Sequence, residues 1–181
     1  MKRRRECVMI VAVLIVLLTG CASKIAANLE IPDELAVPLN QVRMLETRAV
    51  GFQIYECRAS KSDPSKFEWV FKAPQAELFK LSGSKIGKHY AGPTWEANDG
   101  SKVTGEVIAK KNSPDLNAIP WLLLRARSIS GIGIFGQIKS IQRLNTVGGA
   151  SPTGDCSSSN AGKEYLSPYE ANYYFYVEKS N

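Results

Sequence analysis

Apolar positions along this chain follow two patterns. Near the start, an unbroken run from Val8 to Leu18 follows the basic cluster Lys2, Arg3, Arg4 and Arg5. That run is too short to span a bilayer, which takes roughly 20 apolar residues. A positive segment, a short apolar segment and then small residues form the pattern of a secretory signal. Beyond residue 48 the pattern becomes alternation with a period of two, the mark of half-buried strands. In Gly51–Ala59, Gln53, Tyr55 and Cys57 stand against Phe52, Ile54 and Glu56. Phe67–Lys72 reads as a second strand, with Ser62-Asp63-Pro64-Ser65 as the intervening turn and Ala73-Pro74 as its stop. Ala76–Leu81 fits a helical turn and a strand equally well. Lys85–Tyr90 is a short strand. Thr94–Lys110 is a hairpin around Asn98-Asp99-Gly100, whose residues tolerate positive φ. Trp121–Ser130 is a central strand with Leu122, Leu124 and Ala126 on its core face, and Ile132–Leu144 continues as one or two more. Thr146–Gly162 is a long loop of Gly, Ser, Pro and Asn, and Pro168–Glu178 is a last strand dense in Tyr. Short strands, regular turns and no long helix predict an all-β domain over residues 49–181, an antiparallel β-sandwich or small β-barrel.

The apolar run ends in Leu18-Thr19-Gly20-Cys21, which resembles the lipobox of bacterial lipoproteins. The resemblance implies a signal peptide over residues 1–20, cleavage before Cys21 and acylation of the Cys21 thiol. Two or more acyl chains hold a protein stably on a membrane where one does not. Ala22 and Ser23 follow the cysteine with no Asp, which by likeness to Gram-negative lipoproteins implies the outer membrane, facing the periplasm. Residues 21–48 are then a lipidated N-terminus and tether, with Pro32 and Pro38 and without helical periodicity.

Export changes the charge and the cysteine count. Cleavage leaves 161 of the 181 residues, enough for one domain with a real core. Losing Lys2, Arg3, Arg4, Arg5 and Glu6 takes 23 basic and 17 acidic residues to 19 and 16, a balance of +3. So small an excess gives no argument for nucleic acid as a partner. Cys7 leaves with the signal and Cys21 takes the lipid, so Cys57 and Cys156 remain as an even pair in an oxidising compartment. A bridge between them would close a loop of 99 residues; two free thiols are the alternative.

Few residues point to chemistry. Gly131, Gly133 and Gly136 spell G-x-G-x-x-G, with Asp155 further on, but only 45 residues follow Gly136. That is too little chain for the two-lobed nucleotide fold, so these read as strand glycines at bulges or close packing, and no cofactor is expected. His89 is the single histidine and has no metal-ligand cluster around it, so no metal site is expected. It could serve a hydrolase as a general base with Asp99 or Glu96, yet no nucleophile motif accompanies it, and Asp99 suits a turn. Tyr90, Trp95, Trp121, Arg125, Arg127 and Arg143 form a candidate aromatic and cationic patch for an envelope polysaccharide, lipid or protein partner.

The segments GFQIYEC, FEWVFKAPQAELF, GKHYAGPTWEANDGSKVTGEV, IPWLLLRARS, GIGIFGQIKSIQRLNTVGG, SPTGDC and YEANYYFY together resemble an uncharacterised family of secreted bacterial and fungal proteins, the domain-of-unknown-function family 3455. The resemblance spans Gly51 to Tyr176. It implies a predominantly β domain, pairing of Cys57 with Cys156, and a first place to look for a site at His89, Gly92, Pro93 and Trp95. It implies no activity. The expectation is a lipid-anchored envelope protein whose domain binds or supports something. A hydrolase centred on His89 is one alternative, and a lysozyme-inhibitor-like binder, from Tyr55-Glu56-Cys57, is another.

Overall fold

A computed structural model describes residues 30–180. Eight strands follow one another, β1 (Gln41–Ala59), β2 (Phe67–Phe79), β3 (Lys85–Tyr90), β4 (Thr94–Ala97), β5 (Lys102–Lys111), β6 (Trp121–Ser130), β7 (Ser140–Gly148) and β8 (Glu164–Glu178). Each pairs antiparallel with the next, and β8 returns to pair with β1, so the sheet closes as an up-and-down barrel. Of the two expected architectures, the barrel is the one formed. No helix among the described residues is long and apolar enough to cross a membrane.

β8 begins at Glu164, four residues before the expected Pro168, and three other boundaries differ from the sequence expectation. β1 begins at Gln41, inside the segment expected as tether, because Gln41–Glu56 pairs along β8. β2 runs through Ala73-Pro74 to Phe79, so Ala76–Phe79 is strand and Lys80 and Leu81 lie in the turn after it. Pro74 is tolerated because β3 lies beside β2 only from Ala76 onward, so Pro74 stands where the strand has one neighbour. Residues 131–139 are not strand. They form a loop that turns into the barrel and buries Phe135 and Ile138 completely.

That loop closes one end of the barrel. The Ile134 amide donates to Asp99 Oδ2 at 2.8 Å and the Phe135 amide to Ser101 Oγ at 3.0 Å. Asp99 also accepts from the Ser101 amide at 2.8 Å. Gly131 takes φ of +78°, and a Cβ at Gly133 would collide with the Asp99 carboxylate. The glycines are thus close-packed, as expected, but in a plug and not in a strand. Phe135 packs on Phe175 with ring centroids 4.7 Å apart, and Ala49, Leu78, Val103 and Ile141 complete this half of the interior.

A second, smaller core lies outside the ring. Leu35, in the short 3-10 turn Asp33–Leu35, packs against Trp121, Leu123 and Leu144 on the outer faces of β6 and β7. Gln142 Nε2 donates to the Leu35 carbonyl at 2.6 Å. The first half of β6 is therefore buried on both faces, where alternation alone assigned only Leu122, Leu124 and Ala126 to the core.

The opposite end is held by the long loop between β7 and β8. Cys57 and Cys156 are bonded, with Cα atoms 5.4 Å apart, and Trp69 Nε1 donates to the Gly154 carbonyl at 2.8 Å. The bridge spans a sequence separation of 99. In the chain-entropy account such a loop is worth about 4.7 kcal/mol. Replacing both cysteines by alanine should lower the unfolding free energy by about 2–5 kcal/mol, read as a lower midpoint in urea denaturation, with native-like far-UV circular dichroism in the absence of denaturant.

Candidate functional site

The barrel wall is uneven. β3 and β4 have 6 and 4 residues, while their neighbours β2 and β5 have 13 and 10. The short hairpin leaves a notch at the end opposite the plug, crossed only by the turn Ala91-Gly92-Pro93. A cavity of about 550 Å³ opens there. That lies within the usual range of small-molecule sites, roughly 300–1,000 Å³. Phe71, Val107, Ile119 and Pro120 stand around it, with Leu122 and Leu124 on its wall.

Its floor is aromatic. Strand alternation turns His89 and Trp95 inward from paired positions on β3 and β4. Their rings stack with centroids 4.4 Å apart and 13° between planes, and Tyr173 meets both edge-on at 5.1 and 5.3 Å. Gly105 makes room for this layer, because a Cβ there would meet Trp95 at 3.0 Å and Leu124 at 3.1 Å. Trp95 touches Phe175 beneath it, so the aromatic column runs from the cavity floor to the plug.

No acidic side chain stands among the polar groups around the cavity. His89 Nδ1 lies 2.8 Å from the Thr94 carbonyl. A carbonyl only accepts, so Nδ1 carries the proton and the ring is neutral with Nε2 unprotonated. Burial holds His89 far below its usual range, at about 3, with the Arg143 charge acting in the same direction and the Thr94 hydrogen bond against it. Burial pushes the Tyr55 and Tyr173 phenols up, so both keep their protons. Tyr55 donates to the Gly149 carbonyl at 2.8 Å. Tyr173 and Gln53 line the cavity, but Tyr173 OH and Gln53 Nε2 are sealed behind the lining, where they cluster with Tyr169 OH and Arg143. Arg143, half-buried on the wall, gives Nε and Nη2 to the Pro120 carbonyl at 3.0 and 2.8 Å.

Of the residues singled out from the sequence, His89, Gly92, Pro93, Trp95 and Arg143 meet at this cavity, with Tyr55 beside them. The others do not. Tyr90 points outward and donates to Glu96 at 2.7 Å, and Glu96 also pairs with Lys88 and Lys102. Trp121 is buried beneath Leu35 outside the ring. Arg125 is exposed and pairs with Glu106 at 2.9 Å. Asp99 holds the plug loop at the far end. The patch expected from these residues is thus divided between the two faces of the wall. The acid–base pairings of His89 with Glu96 or Asp99 are not formed either, since both carboxylates are committed elsewhere. Among the described residues, no three His, Cys, Asp or Glu side chains gather as a metal would require. Cys21 lies outside the described residues. Gln53 and Tyr173 were not singled out; a polar Gln53 on the inward face shared with Tyr55 and Cys57 was the available signal.

A family model described as "Protein of unknown function (DUF3455)" matches residues 38–177. The chain belongs to this family. No curated protein and no solved structure matches it. The DUF3455 match takes in every strand except the last residue of β8, so plug, aromatic floor and cavity all fall inside the family domain.

The buried imidazole makes a stability prediction. His89 titrates near 6.5 in an unfolded chain and at about 3 in the barrel. Between these values the unfolded chain takes up a proton that the barrel refuses, so stability falls as pH drops from 6.5 towards 3. The chain has a single His, and above about pH 5 the carboxylates, whose ordinary values lie near 4, stay ionised. Urea denaturation should lose about 2 kcal/mol between roughly pH 6.5 and 5 in the wild type. In His89→Phe that loss should vanish, while stability at neutral pH drops by about 1–3 kcal/mol because the Thr94 carbonyl loses its donor.

Proposed function

We propose that this protein is a non-catalytic small-molecule binder, a ligand-holding barrel carried on a lipid-anchored N-terminus at the cell envelope. The observation that carries the binding role is the 550 Å³ cavity, apolar in its walls and entered through the notch above β3 and β4. Eight-stranded barrels have an interior wide enough to be filled by side chains or to hold one small ligand. Here one half of the interior is packed by the Phe135 plug and the other half is open. His89 lacks the nucleophile and carboxylate that a hydrolase needs, and its buried ring stays neutral, which supports binding over catalysis.

The lipobox-like residues Leu18-Thr19-Gly20-Cys21 support the anchor. Glu34 Oε1 pairs with Lys111 at 2.6 Å, at the end of β5 beside the mouth. Thirteen residues separate Cys21 from Glu34, a reach of about 45 Å at full extension. An acylated Cys21 would keep the mouth within that distance of the bilayer, on the outer membrane's periplasmic face in this reading.

Two measurements test these roles. The neutral apolar probe N-phenyl-1-naphthylamine should bind at one site per chain with a rise in fluorescence. Val107→Trp, which fills the rim, should weaken it at least tenfold. Absence of binding, or binding indifferent to Val107→Trp, would remove the cavity as the functional site. Labelled palmitate should appear on the protein in cells and be lost in Cys21→Ser; an unlabelled wild type would remove the anchor.

A further inference from the structure

Charge around the cavity is one-sided. Lys72, Lys110 and Arg143 line it, and no Asp or Glu does. Lys72 is neutralised by Glu56 and Glu164 at 3.2 and 2.6 Å. Arg143 has no carboxylate partner among the described residues, and the Pro120 carbonyl takes two of its five N–H donors. Behind it Tyr173 OH, Tyr169 OH and Gln53 Nε2 cluster out of reach of solvent. A cation set in an apolar wall without a counter-charge is costly, so the arrangement asks for an acceptor with negative charge. Aromatic and aliphatic surface occupies the rest of the lining.

Resting on the cavity being the binding site, we infer that its ligand is an amphipathic carboxylate, with the carboxylate on Arg143 and the apolar body against the aromatic floor and the walls. The planar guanidinium offers parallel N–H donors that suit a carboxylate. Neutral His89 places no second charge beside it and contributes its ring face to the apolar contact.

Decanoate, decanol and decyltrimethylammonium share one chain and differ in head group, so their binding to the purified protein separates head from body. Each is measured by displacement of N-phenyl-1-naphthylamine below its aggregation concentration. Decanoate should bind about tenfold or more tightly than decanol, and the cation weakest. Arg143→Met should abolish the difference between decanoate and decanol, and Arg143→Lys should restore part of it. Wild-type selectivity needs no variant, so a poorly folding Arg143→Met leaves the test intact. Decanol binding as tightly as decanoate overturns the head-group assignment while the cavity stands. If neither displaces the probe, cavity and assignment fall together.

Discussion

Pairing of β8 with β1 over Gln41–Glu56 is the contact on which the rest of the molecule depends. It closes the sheet on itself and leaves free edge beside the notch at β3 and β4, where β2 and β5 outrun them. It also creates a single enclosed space. Every inward side chain must then pack into that space or line what is left of it. The two ends of the ring solve this in opposite ways.

At one end the chain folds back into the ring. Asp99 and Ser101 hold the amides of Ile134 and Phe135, and the phenyl ring of Phe135 fills the space beneath Phe175. At the other end the hairpin of β3 and β4 is too short to complete the wall, and the interior opens. The disulfide and the Trp69 and Tyr55 hydrogen bonds hold the long loop at this rim. They tie down a loop whose own composition of Gly, Ser and Pro supplies no apolar surface to hold it. The open end is thus braced from one side by covalent and polar contacts, and floored by the stacked rings of His89, Trp95 and Tyr173.

Charged groups on an apolar wall are poorly solvated, so their pairing carries information. Outside the ring, acidic and basic residues answer one another, as Arg125 and Glu106 or Lys102 and Glu96 do. Inside, Arg143 stands with no acidic side chain among the lining residues. That contrast separates the cavity from the surface more sharply than its volume does, and it gives the site a preferred sign of charge.

Much of this was legible in local pattern. Period-two alternation marked most strands, Asn98-Asp99-Gly100 marked a turn, and the absence of long helical periodicity marked the all-β class. These are properties of neighbouring residues, and neighbouring residues decide them. Closure into a ring was not legible, because the partner of β1 lies more than a hundred residues away. The same distance hid the fate of Trp121, buried by Leu35 from outside, and of Phe135, turned inward by a carboxylate on another hairpin. Alternation could assign His89, Trp95 and Arg143 to faces of three strands, but only the curvature of a closed sheet turns those faces towards one point. A line of residues specifies which side of each strand is apolar; which sides meet, and what they leave empty between them, is settled by long-range pairing.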